Sequence, residues 1–265
     1  MSKTVKVVIP IYTSDLSTLE LQSLKRIYSV MDKYDIVAIK PKSLEVSQFE
    51  KEFPRMIFES FEDHYFAGRE GYNKLMLSTD LYQRFLDVDY MLICQLDVYI
   101  FRDTLNQFLE KDYDYIGAPY LKRRLYRVLP VMEKIKTSKK KYDRSAITWI
   151  QNVDNKVGNG GFSLRKVKSF YDTTIKYADR IEIYNSHTNS SLFHEDTFWS
   201  KEPLEFSYPP VKEALMFSFD KYPKLCYMEN GEQLPMGCHA WYKWKWRSFW
   251  KKFIEFEDQP RNYIS

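Results

Sequence analysis

The sequence predicts an α/β fold, a mixed but mostly parallel sheet flanked by helices. Three observations carry this expectation. Val5–Ile9 (VKVVI), the helix-spaced Leu21, Leu24, Tyr28 and Met31, and Ile36–Ile39 give strand, helix and strand, the pattern of a parallel βαβ unit. Tyr90–Cys94 (YMLIC) is an apolar run too short for a typical helix and rich in strand formers. It leads to one acid, Asp97, and then to a second apolar strand ending at Phe101. A carboxylate at the carboxyl end of a buried strand is costly unless hydrogen-bonded, paired or bound to a metal. Ligand sites of open α/β sheets lie at that edge.

The remaining elements follow from local signals. Pro10 stops the first strand, and Ser17 with Glu20 forms a capping-box pattern ahead of the first helix. Phe49–Phe61 reads as a short helix and a strand, and Phe66–Tyr72 (FAGREGY) as a loop. Asn73–Leu86 reads as a helix with Leu77, Leu81 and Phe85 on one face. Thr104–Glu110 is expected to be a short helix and Tyr113–Tyr120 a strand. Val157–Arg165 (VGNGGFSLR) reads as a turn and a strand, with three of the eight glycines of the chain. Glycine there permits left-handed dihedrals and close approach to a ligand, although a bulge or tight hairpin would use the same residues. Val167–Ala178, His194–Ser200 and Lys212–Phe219 complete the predicted helices. The adjacent acids Glu195 and Asp196 fall in the first turn of one of them, where they would also offset the helix dipole.

Composition bounds the function. At 265 residues the chain has room for one large domain, with 1–241 as the catalytic unit and 242–265 as an aromatic-basic segment. The formal charge is only +4, yet ten Lys or Arg and two acids lie between Lys122 and Arg144, a basic loop or insertion spanning 122–145. It is either a solvated loop or a surface for anionic partners. Cys94, Cys226 and Cys238 have no CxxC spacing and fit reduced thiols in a cytosolic protein. The first residues lack a signal-peptide core, and no apolar run is long enough to span a membrane. Trp241, Trp244, Trp246 and Trp250 alternate with lysines and an arginine, a composition suited to an anionic membrane interface or to packing on the domain.

Taken together, GYNKLML, CQLDVYIF, YIGAP, GNGGFSLR, HEDTFWS and PMGCHAW, in that order, resemble nucleotide-sugar-dependent glycosyltransferases of the GT-A fold, which is Rossmann-like. More narrowly they resemble a bacterial family long classed as a domain of unknown function. The resemblance runs from about Val5 to Trp241. It implies a divalent cation, Mn²⁺ or Mg²⁺, held from an Asp-x-Asp turn. The matching turn is Leu96-Asp97-Val98-Tyr99, in which only the first acid matches and Tyr99 stands where the pattern often has a second Asp or another residue. One carboxylate is a poor site for a hard cation, and the resemblance supplies His239 as a second ligand. Pro10, Ile11 and Tyr12 would line the base pocket, Tyr12 stacking on uracil. Tyr72, Asn73, Lys74 and Gln95 would meet the donor, with Tyr72–Lys74 at a helix start and Lys74 answering phosphate charge. Gly160, Gly161 and Phe162 would floor the donor sugar. Asp196 is the candidate general base of an inverting reaction, with Glu195 as fallback; a retaining enzyme would need no dedicated base.

The expected activity is therefore hexose transfer from a nucleotide sugar, with UDP favoured, to a bacterial surface-glycan or lipid-linked acceptor. The enzyme would work in the cytoplasm with peripheral contact at the inner face of the membrane. Three other classes fit less well. Nucleotidyl transfer usually shows a Gly-rich basic signature after the first strand, where this chain reads PIYTSDLS. A non-catalytic sugar-nucleotide or glycan-binding module is kept open by the absent acid at Tyr99. A nucleic-acid binder would rest on the basic stretches alone, without a recognition motif.

Overall fold

The computed structural model describes residues 3–121, 156–187 and 191–257. In chain order it contains β1 (Val5–Pro10), α1 (Thr18–Val30), β2 (Asp35–Pro41), α2 (Ser47–Glu52), β3 (Met56–Phe61), a 3₁₀ turn Asp63–Phe66, α3 (Gly68–Met76) and α4 (Thr79–Gln83). Then come β4 (Tyr90–Cys94), β5 (Val98–Ile100), α5 (Leu105–Leu109) and β6 (Tyr115–Gly117). After residue 156 follow β7 (Phe162–Lys166), α6 (Val167–Lys176), α7 (Ala178–Ser186), a 3₁₀ turn Ser191–Phe193, α8 (Glu195–Lys201) and α9 (Val211–Phe217). The last elements are β8 (Ser218–Phe219), α10 (Pro223–Glu229), β9 (Gly237–His239) and α11 (Trp244–Trp250).

The main sheet has the order β3-β2-β1-β4-β7-β6. Its first four strands are parallel, and β7 then runs antiparallel to both β4 and β6. β1 is flanked by β2 on one side and β4 on the other, so the strand order reverses beside its carboxyl end, where α/β sheets open a ligand crevice. Alternation along β1 explains its place: Val7 and Ile9 join the apolar cluster with α1, while Val8 joins the cluster on the opposite face with α3, α6 and α8. Every residue of β4 is buried, which its uninterrupted apolar sequence anticipates. The capping box forms as expected: Ser17 Oγ accepts from Glu20 N, and the Glu20 carboxylate accepts from Ser17 N at 2.9 Å.

A second sheet, β5-β9-β8, stands at the carboxyl edge of the first. β9 is antiparallel to β5, with Val98 opposite His239 and Tyr99 opposite Cys238. This register carries the site, because it sets His239 beside the residue preceding Val98.

Two expectations need correction. The loop expected over Phe66–Tyr72 is largely helical, since α3 starts at Gly68. The single helix expected over Asn73–Leu86 is broken at Ser78, whose hydroxyl accepts from Leu81 N and starts α4. Glycine misled the reading: Gly71 lies within α3 and packs directly on the His64–Tyr65 backbone. The basic segment 122–145 lies outside the described residues. Of the four clustered tryptophans, Trp241 and Trp250 are fully buried in a third apolar cluster with Phe219 and Cys238, so residues beyond 241 continue the packed core. Among the described residues no helix is long and apolar enough to cross a membrane.

Candidate active site

β4 ends at Cys94, and the chain turns through Gln95, Leu96 and Asp97 into β5, closed by Val98 N donating to Gln95 O at 2.9 Å. Gln95 N donates to Gly161 O at 2.9 Å, tying this turn to the start of β7. Across the register of β5 and β9, His239 Nε2 lies 2.9 Å from Asp97 Oδ1 and 3.1 Å from Gln95 Oε1. The Nε2–Oδ1 approach is an ion pair without hydrogen-bond alignment, which leaves the buried Asp97 Oδ1 without a hydrogen-bond donor among the described residues. On its other nitrogen His239 contacts Asp220 Oδ1 at 3.1 Å, and Asp220 Oδ2 accepts from Asn159 Nδ2 at 3.1 Å. Asn159 Oδ1 accepts from Gly161 N, closing a buried ring of polar groups. Lys243 Nζ reaches Asp97 Oδ2 at 3.3 Å.

The electrostatics follow from this arrangement. Burial alone would raise the Asp97 carboxyl, but His239 and then Lys243 outweigh it and hold it at about 2. Burial alone would lower the His239 imidazole; Asp97 and Asp220 outweigh it and raise it to about 10. Without a metal the histidine is thus a buried cation between two carboxylates.

Gly161 sits against this group. A Cβ at Gly161 would lie 2.3 Å from His239 Nε2 and 2.7 Å from Gln95 Oε1, closer than real contacts allow. Gly161→Ala is therefore expected to displace His239, and any divalent-cation affinity that rests on His239 should fall at least tenfold, an effect of the order seen when groups that orient metal ligands are lost. Isothermal titration checks the affinity, and thermal melting checks that the fold survives.

Gly160 covers a second buried pair. Glu195 Oε2 meets Arg165 Nη2 at 3.1 Å, with both side chains almost wholly buried. A Cβ at Gly160 would fall 1.6 Å from Glu195 Oε1. Burial raises the Glu195 carboxyl, Arg165 opposes this and the Asp196 charge adds to it, leaving it at about 7. Arg165 also donates to Tyr82 Oη at 2.8 Å and to Ser163 Oγ at 3.0 Å. Glu195 is thus committed to holding the glycine turn. Asp196, half-buried, accepts from Tyr120 Oη at 3.0 Å and from Thr197 N at 2.8 Å.

The other expected residues divide. Pro10 ends β1 and Ile11 is buried, its N–H donating to Ile39 O. Tyr12 is 37% exposed, with its ring 5.6 Å from Phe66 and 6.3 Å from Tyr72. Burial, with the Asp97 and Glu195 charges, raises the pKa of its hydroxyl. Tyr72 and Asn73 are brought to the site, but from the middle of α3 and not from a helix start. Asn73 Oδ1 accepts from Glu195 N, while Asn73 Nδ2 and Tyr72 Oη are buried with no hydrogen-bond partner among the described residues. Lys74 pairs with Glu70 at 3.0 Å and lines a separate surface groove with His64 and Tyr65, so it does not join the site. Phe162 contributes backbone only, since its ring stacks on Phe217 at 4.8 Å in the core. Tyr99 packs on Trp241 and Phe101 against the third apolar cluster. The side chains that converge with His239 are Gln95 and Asp97, two residues earlier than the Asp97-Val98-Tyr99 reading.

Do these residues suit a divalent cation? Adjacent ligands of an octahedral ion with bonds near 2.1 Å stand about 3 Å apart, and Asp97 Oδ1 and His239 Nε2 are 2.9 Å apart. Asp97 Oδ1 lacks an aligned donor, and Asp220 holds the far nitrogen of His239 as a metal-bound imidazole requires. The set fits Mn²⁺ or Mg²⁺ with diphosphate oxygens and water as further ligands. Among the described residues no three His, Cys, Asp or Glu side chains form a self-sufficient metal cage.

A family model described as a protein of unknown function, DUF5672, matches residues 55–239, more than half of the chain. The chain belongs to the DUF5672 family. No curated protein matches it. The DUF5672 fold seen here is that of GT-A glycosyltransferases. The galactosyltransferase LgtC, solved with donor and acceptor sugar analogues, is similar with a TM-score of 0.56 at 13% identity, over 97% of this chain and 98% of LgtC. Mouse xyloside xylosyltransferase 1 is similar with a TM-score of 0.51 at 11% identity, over 89% of this chain and 97% of the enzyme. The bifunctional glycosyltransferase WbbM is similar with a TM-score of 0.54 at 14% identity, over 92% of this chain and 46% of WbbM.

Within the DUF5672 chain, sequence reasoning missed Asp220, Asn159, Arg165, Tyr120 and Lys243. Asn159 sits inside the glycine turn and Lys243 lies four residues beyond His239, so both could have been suspected. Asp220 follows a strand of two residues and carries no local signal.

Proposed function

We propose that this protein is a glycosyltransferase moving a hexose from a nucleotide sugar, with UDP as the favoured nucleotide, to a hydroxyl of a bacterial surface-glycan or lipid-linked precursor. The observation that carries the reading is the meeting of Asp97 and His239 at the carboxyl edge of the sheet, beside glycines whose side of the turn admits no side chain. The likeness to solved glycosyltransferases supports the reaction class. Cys94, Cys226 and Cys238 are all buried free thiols, which supports a reducing, cytoplasmic compartment.

A departing nucleoside diphosphate develops negative charge that the site must neutralise. Asp97 and His239 would hold Mn²⁺ or Mg²⁺ for this, and a bound cation supplies Lewis-acid stabilisation of the leaving diphosphate. Lys243, released from Asp97, adds a second positive charge beside the phosphates. The exposed ring of Tyr12 offers a stacking face to the base at the end of β1. Tyr72 Oη and Asn73 Nδ2, both without hydrogen-bond partners among the described residues, are hydrogen-bond donors for the donor sugar or diphosphate. Gly160 and Gly161 let that sugar approach the backbone.

For inversion, Asp196 is the carboxylate that takes the acceptor proton, using lone pairs not occupied by Tyr120 and Thr197. Glu195 is withdrawn from that role by Arg165. One observation favours retention as a second reading: both Asp196 oxygens already accept hydrogen bonds, so neither acid stands wholly free. The test is turnover of a panel of UDP- and GDP-hexoses with Mn²⁺, followed by ¹H NMR of the product anomer. Metal-dependent turnover of a UDP-hexose with an inverted anomer supports the proposal. A retained anomer removes Asp196 as base, and no turnover of any donor removes the transferase.

A further inference from the structure

The chain passes directly from the site to an exposed face. Lys243 reaches Asp97, and the next residue, Trp244, opens α11 with 87% of its surface exposed. Between α11 and α10 lies a groove of about 610 Å³. Its walls are apolar, with Leu225, Trp246 and Phe249, and Lys224, Lys245 and Lys252 are part of its lining. Among the described residues no acid lines it. None of these three lysines pairs with an acid among the described residues, and Lys245 lies over the Trp246 ring. Met228 on α10 is a further exposed apolar side chain, at 46%.

We propose that this groove and Trp244 form a docking face for an anionic lipid bilayer. The chemistry of the face selects that occupant. Indole rings favour the headgroup level of a membrane, where their apolar body is buried and their N–H stays wet. Lysines around an apolar floor bury their stems there and keep the ammonium groups at the anionic headgroups. An acidic protein partner would meet the lysines but would leave Trp244 and Met228 without the apolar layer that the bilayer provides. Because Lys243 and Trp244 are consecutive, docking sets the Asp97–His239 site beside the membrane surface. The acceptor is then a membrane-borne glycan precursor and not a free sugar. This last step rests on the transferase reading; docking itself does not.

The test is sedimentation of the full chain with phosphatidylcholine vesicles made with and without phosphatidylglycerol, without nucleotide or metal. The wild type should bind the anionic vesicles and not the neutral ones. The combined variant Lys224→Gln, Lys245→Gln, Lys252→Gln should lose binding by about 10²-fold, from roughly fivefold per lysine. Trp244→Ser, at an exposed position, should lose roughly tenfold and should also abolish a blue shift of tryptophan emission on vesicle addition. Both variants should melt like the wild type and bind UDP as it does. Equal binding to neutral vesicles, no binding by the wild type, or undiminished binding in both variants would overturn the proposal. A protein that docks but binds no nucleotide would sink the transferase reading and leave the docking face intact.

Discussion

Asp97→Asn is expected to lower metal-dependent turnover by about 10³-fold or more, with the fold preserved. The substitution keeps the size of the side chain and removes the charge that would face the cation, and losses of this order accompany removal of groups that stabilise developing charge. Asp220→Asn offers a graded comparison. It touches the far nitrogen of His239 and not the cation, so a 10- to 100-fold loss of metal affinity is expected, about that of other groups that orient a metal-binding histidine. The pH dependence has a definite sign. Asp97 is held at about 2, below its usual value, so its contribution to stability is present at neutral pH and is lost as pH falls through about 2. His239 is held up to about 10, above its usual value of 6.5, so its contribution is complete below that value and is lost as pH rises through about 10. A cation needs the neutral imidazole and must displace this proton. Mn²⁺ affinity should therefore increase with pH across the neutral range, by up to about tenfold per unit. Titrations in the presence of UDP at several pH values measure this directly.

Glu195→Ala should produce the largest loss of stability. It leaves the Arg165 guanidinium, wholly buried, without its anion. Breaking a buried pair in this way costs about 3–5 kcal/mol, which for a chain of this size lowers Tm by roughly 6–20 °C. Arg165 keeps Tyr82 and Ser163, but neither supplies a charge. Glu195 also gives stability a pH dependence opposite to that of Asp97. Its carboxyl is raised to about 7 by burial against the pull of Arg165, so ionising it within the fold costs stability as pH rises from 4.5 to about 7, and its ion pair with Arg165 is fully charged only above that value. A melting series across that window should decline for the wild type, and the component from Glu195 should vanish in the variant. A melting temperature unchanged by Glu195→Ala would show that Arg165 does not depend on this partner.

The parts of the fold visible in the sequence were those encoded by local periodicity. Alternation in β1, the Ser17–Glu20 cap and the apolar run of β4 each specify an element without help from distant residues. Asp97 could be located for the same reason, since a lone acid after a buried strand is conspicuous. The partners of Asp97 were harder to place. His239 meets Gln95 from 144 positions away, through the register of a three-stranded sheet whose strands have only two or three residues. Such short strands leave almost no periodic signal, so His239 came from resemblance, and Asp220 was not seen at all. Lys74 was misplaced because the glycines around residue 70 suggested a loop. Once α3 runs from Gly68, Tyr72 and Asn73 face the site and Lys74 turns to solvent with Glu70. Phe162 shows a different limit: a glycine-rich turn announces a backbone surface, but not which neighbouring ring is withdrawn into the core.

The central claim, that Asp97 and His239 form a cation-dependent nucleotide site, is tested most directly by isothermal titration of the purified chain with UDP, with and without Mn²⁺. Binding that requires Mn²⁺ and disappears in Asp97→Asn is the predicted result. UDP binding that is equally tight without the metal and unaffected by the substitution would contradict it.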